Sequence, residues 1–116
     1  MVANWGKSLA IDLYKCAAHR LTDPDGLKKF TGELVRVVDM VAHGECYIDR
    51  FGIGDLRGYS AMQFIETSSI TIHIDEKGKR VFIDIFSCKD FDTQKAEKFS
   101  REYFGAKGIK STTLLR

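Results

Sequence analysis

The chain has 116 residues, 44% of them apolar and 29% charged, the range of an ordinary globular domain and unlike a fibre or a disordered tail. Eighteen basic against sixteen acidic residues leave a net charge of +2, which argues against nucleic-acid binding driven by surplus Lys and Arg. No apolar run approaches the ~20 residues of a membrane span, the first seven residues carry no signal-peptide core, and no Cys-x-x-Cys occurs among the three cysteines. The expectation is a single cytoplasmic domain over residues 1–116 that engages neither membrane nor nucleic acid.

Leu9, Ile11 and Leu13 alternate with Ala10, Asp12 and Tyr14, the period of a strand. Asp23-Pro24 then reads as a helix cap followed by proline at the first helical position. Leu27, Phe30, Leu34, Val37, Val38 and Val41 fall on one stripe and predict a helix over 24–42. Residues 44–51 and 59–66 are strand candidates around the Gly-rich stretch 52–58. Ile70, Ile72 and Ile74, then Val81, Ile83 and Ile85, mark the clearest strands, joined by a short loop containing Gly78. Asp92 caps a second helix with Ala96, Phe99 and Tyr103 inward, Gly105 ends it, and 109–115 is the last strand. Few helices among adjacent strands predict an α+β two-layer sandwich, a mainly antiparallel sheet with two helices on one face.

A five-residue loop would pair Ile74 with Arg80 and set Cys88 opposite Glu66, close to Ser68. A hydroxyl and a thiol would then meet at one end of the sheet. His73 is five residues from Ser68, ~16 Å along a straight strand, so one chain does not readily unite them. A two-fold partner would.

Several stretches together resemble the small prokaryotic S-adenosylmethionine decarboxylase proenzymes. Gly6-Lys7-Ser8-Leu9 is similar to that family's Gly-Lys-His-Leu, Asp49-Arg50-Phe51 to its His-x-Phe, and Gly58-Tyr59-Ser60-Ala61 to its Gly-x-Ser-Gly. Thr67-Ser68-Ser69-Ile70-Thr71-Ile72-His73 is similar to Glu-Ser-His-Ile-Ser-Ile-His, and the strand ending at Cys88 to the family's cysteine strand. The resemblance implies self-cleavage between Thr67 and Ser68, with Ser68 becoming a pyruvoyl group that forms a Schiff base with the substrate amine. It implies that Ser60 and His73 assist processing, that Cys88 reprotonates the substrate, and that Phe51 stacks on adenine. It further implies a homodimer with shared sites, decarboxylating S-adenosylmethionine for spermidine synthesis.

Thr67, Ser69 and Ser8 depart from the family pattern. Lys77 stands where an acid would hold the ribose hydroxyls, so Glu76 or Asp75 is expected to substitute by a register shift. Two alternatives stay open: a pyruvoyl enzyme acting on another amino acid, and a non-processing relative that binds a ligand or a partner subunit. Cys16 and Cys46 are expected to be structural, and His19 and His43 solvent-facing.

Overall fold

In a computed structural model that describes residues 4–116, the chain forms one six-stranded sheet. Met1–Ala3, part of the N-terminal reading above, lie outside the described residues. The strands are β1 (Lys7–Tyr14), β2 (Ala42–Phe51), β3 (Gly58–Ile65), β4 (Ser68–Asp75), β5 (Arg80–Ser87) and β6 (Gly108–Leu115). Their order across the sheet is β2-β3-β4-β5-β1-β6, and every neighbouring pair is antiparallel. The α+β two-layer expectation holds.

The alternation read from the sequence sorts the two faces. Leu9, Ile11 and Leu13, Ile70, Ile72 and Ile74, and Val81, Ile83 and Ile85 are buried in one core with Leu27, Phe30, Leu34, Ala96 and Phe104 of the helices. These are α2 (Pro24–Val37) and α3 (Thr93–Phe104). A third, α1 (Ala18–Leu21), was not expected. At four residues it is too short to hold by propensity, and its one buried residue, Leu21, docks it to the core.

Asp23 caps α2 as expected, its carboxylate accepting from Gly26 N at 3.0 Å. The helix ends at Val37, however, not at residue 42. Asp39 adopts a left-handed φ of 58°, a conformation its short polar side chain tolerates. Asp39 N then donates to Arg36 O and Met40 N to Val35 O, closing a Schellman turn. Val41 therefore leaves the helical stripe and is 65% exposed. Gly105, φ 59°, ends α3 in the same way.

Phe30 joins the two long helices. Its ring stacks on Phe99 at 5.4 Å and Tyr103 at 4.7 Å and meets the edge of Phe104 at 5.0 Å. Phe30→Ala is expected to cost about 3–5 kcal/mol, read as a lowered urea midpoint, because the rigid aromatic wall cannot close the cavity.

The β4–β5 register corrects the sequence reading by one residue. Asp75, not Ile74, pairs with Arg80. Asp75 accepts from Gly78 N at 3.0 Å and from Arg80 Nε at 2.7 Å, so it closes the turn from within the strand. Those bonds, the one from Gly78 first, hold its carboxyl below the usual aspartate range. With Ser68 opposite Ser87, Cys88 lies beside Thr67 instead of Glu66.

Candidate active site

The expected residues fall in two groups, and Phe51, Ser60 and His73 lie on the sheet face without helices. Ser60 and His73 are register partners on β3 and β4, and Ser60 Oγ lies 2.9 Å from His73 Nδ1. Gly58 helps set this spacing: a Cβ there would collide with the carbonyl of Ile74. Phe51 joins the pair from β2. Tyr47, Asp49, Phe51, Ser60, Met62 and His73 line an open groove of about 520 Å³. On the other side of His73, a groove of about 640 Å³ is walled by Asp55, Lys77, Arg80 and Phe82. Its charges are paired, Lys77 with Asp55 and Arg80 with Asp75, both at 2.7 Å.

The second group sits at the start of β4. The Cys88 backbone N donates to Ser68 Oγ at 3.3 Å, and Cys88 Sγ lies 2.6 Å from Thr67 Oγ1. Thr67 has φ 57°. A β-branched residue in the left-handed region is strained by about 1–3 kcal/mol, so stored strain falls on the residue before Ser68. The Thr67 hydroxyl, a departure from the family pattern, thus touches the thiol.

Ser68 and His73 are five residues apart on β4, which pairs continuously from Ser68 to Asp75 with β5. That places the two groups ~16 Å apart. The hydroxyl–thiol group at the start of β4 and the Phe51–Ser60–His73 cluster are therefore separate within the chain, and the odd spacing of Ser68 and His73 puts their side chains on opposite faces of β4.

Glu76, one expected stand-in for the missing acid, lines neither groove. It grips Arg50 through two bonds, from Nε at 2.9 Å and from a terminal nitrogen at 2.6 Å. Arg50 and its stacking partner Tyr59 belong to the helix-side set of positions, opposite Asp49 and Ser60. Lys77 remains the residue beside His73. Cys16 and Cys46 line neither groove; burial pushes the Cys16 thiol up to about 11 and raises that of Cys46, so both stay protonated at neutral pH. His19 and His43 are exposed. No group of three or more His, Cys, Asp or Glu suited to a metal occurs among the described residues. Nor is any helix there long and apolar enough to cross a membrane.

An antiparallel sheet covered on one side, with a hydroxyl and an imidazole on the bare side, defines an α+β class shared with a solved enzyme. The crystal structure of the adenosylmethionine decarboxylase from Aquifex aeolicus VF5 superposes with a TM-score of 0.82, covering 99% of this chain and 92% of that one at 15% identity. The family model described as S-adenosylmethionine decarboxylase matches residues 7–116, and the chain belongs to that family. The S-adenosylmethionine decarboxylase proenzymes of Clostridium botulinum strains Langeland and Hall are each 29% identical over 112 residues, which span 96% of this chain and 93% of theirs.

Proposed function

We propose that residues 1–116 act as one cytoplasmic domain that cuts itself between Thr67 and Ser68 and then decarboxylates S-adenosylmethionine, supplying aminopropyl groups for spermidine synthesis. One observation carries this reading: a serine hydroxyl opens β4 directly behind a strained threonine and beside a thiol.

Ser68 Oγ attacks the Thr67 carbonyl carbon. The C–N bond breaks as the hydroxyl proton passes to Ser68 N, leaving an ester and releasing the strain at Thr67. Removal of the Ser68 α-proton expels Thr67 as a carboxylate by cleavage of the Cβ–Oγ bond. Water then replaces the Ser68 nitrogen, which departs as ammonia. The residues present fit the pyruvoyl group so formed, which supplies a sink for the electron pair freed as CO2 leaves. Cys88, adjacent to Ser68, delivers a proton to the substrate α-carbon. Phe51, 56% exposed at the rim of the groove, offers its ring to adenine. Glu76 reaches the ribose hydroxyls only by giving up Arg50.

The α-proton step needs an imidazole near Ser68, and His73 of the same chain is too far along β4. A homodimer packed through the bare face supports the reading. Trp5, Tyr47, Phe51 and Phe64 all lie there at least half exposed, apolar rings that a partner would cover. In such a dimer His73 and Ser60 serve the Ser68 of the partner.

Intact mass spectrometry tests the proposal. Freshly purified protein is expected to convert from 13.1 kDa into fragments 1–67 and 68–116, and the product to release CO2 from S-adenosylmethionine. Persistence of the whole chain would favour a non-processing relative. Cleavage with turnover of another amino acid alone would favour a different substrate.

A further inference from the structure

Asp49 is a charged residue on the Phe51 groove that the reading above leaves unused. On β2 it shares the bare face with Tyr47 and Phe51. It is the register partner of Ser60, which is the register partner of His73. Carboxylate, hydroxyl and imidazole thus form one row across three strands, each side chain about 4.5–5.5 Å from the next at Cβ. Among the other charges near His73, Asp55 is bonded to Lys77 and Asp75 to Arg80, while Asp84, the register partner of Thr71, lies diagonal to His73 on β5. Arg50, next in sequence to Asp49, is turned to Glu76. Asp49 Oδ1 accepts from the Arg50 backbone N at 2.9 Å, and neither carboxylate oxygen is bonded to Ser60 among the described residues, so contact with Ser60 requires the carboxylate to turn toward β3.

We propose that Asp49 is a positioning residue that fixes the tautomer of His73 through Ser60. The 2.9 Å contact between Ser60 Oγ and His73 Nδ1 permits either direction of donation. A serine hydroxyl has one proton, and a carboxylate only accepts. With Ser60 donating to Asp49, its lone pair receives Nδ1–H, and Nε2 keeps the lone pair a base requires. With Ser60 donating to Nδ1, Nε2 carries the proton and cannot take another. A carboxylate turned toward Ser60 selects the first arrangement. The use of that base rests on the proposed self-cleavage; the tautomer does not.

The test is ¹⁵N NMR of the His73 imidazole in the full chain, at a pH where the spectrum itself shows the ring neutral. The wild type is expected to show Nδ1 protonated and Nε2 bare. Asp49→Ala should shift the ratio toward Nε2–H by about tenfold, the scale of one charge-assisted hydrogen bond. Asp49→Glu should restore it. In a Ser60→Ala background, Asp49→Ala should change nothing. A wild-type Nε2–H form, no response to Asp49→Ala, or a response that persists without Ser60 would each overturn the proposal. Self-cleavage is measured on the same samples. A chain that never cuts but shows the expected tautomer shifts upholds this proposal and defeats the functional reading. A chain that cuts normally with an unmoved tautomer does the reverse.

Discussion

Cys88→Ser is expected to leave self-cleavage intact and to lower turnover of S-adenosylmethionine by about 10²–10⁴, the range for losing a positioned proton donor. Serine keeps a hydrogen-bonding atom against Thr67 and the backbone bond from residue 88 to Ser68 Oγ, so local packing is preserved. It removes the thiol as proton donor and puts a far weaker acid in its place. The fall should lie in kcat and kcat/KM together, with KM little changed, because the proton is delivered only in the reaction and not on binding. Equal loss of cleavage and turnover would place Cys88 in processing instead. Retained turnover would remove it from the proton transfer altogether.

The strands at the middle of the sheet were the most legible part of the fold. Isoleucine or valine at every second position of β4 and β5 leaves only one face to bury, and those residues are buried as read. The caps of both long helices were legible for a similar reason: an aspartate before each supplies an acceptor for an amide that would otherwise lack a partner. What failed to show was set by contacts distant in sequence or by backbone conformation at single residues. The stripe in α2 continues in sequence to Val41, but Asp39 turns left-handed and Met40 bonds back to Val35. The turn after β4 gains its register from the Asp75 side chain, which closes the loop and keeps its own place in the ladder.

The site divides along the same line. Phe51, Ser60 and His73 were readable because a resemblance and an antiparallel pairing both bring them together. Asp49 stood in the same quoted motif as Phe51, two residues away and so on the same face of the strand. Its meaning needed the β2–β3 register, which no local pattern supplies. Glu76 shows the converse. Sequence distance placed it near the missing acid at Lys77, but a residue in a turn can leave the face its neighbours share, and Arg50 holds it away. Substrate recognition by Glu76 therefore competes with an existing bidentate ion pair.

Mixing Ser68→Ala chains with His73→Ala chains is expected to restore self-cleavage that neither mutant shows alone. The argument is geometric. β4 pairs without a break from Ser68 to Asp75 with β5, so no bend folds His73 back onto Ser68. Five residues at ~3.3 Å each separate them, while proton abstraction needs contact near 3 Å. An isologous dimer has two equivalent sites, each with Ser68 from one protomer and His73 from the other. In the mixed dimer one site carries both lesions and the other carries neither. The intact site is expected to cut its His73→Ala chain, so that about half of the chains in heterodimers yield fragments 1–67 and 68–116 while the Ser68→Ala chains stay whole. Each mutant homodimer should stay uncut. Heterodimers that form, verified by native mass spectrometry, and remain uncut would place His73 outside the partner's site. The bare aromatic face would then have to be covered in some arrangement other than the one that joins the two halves.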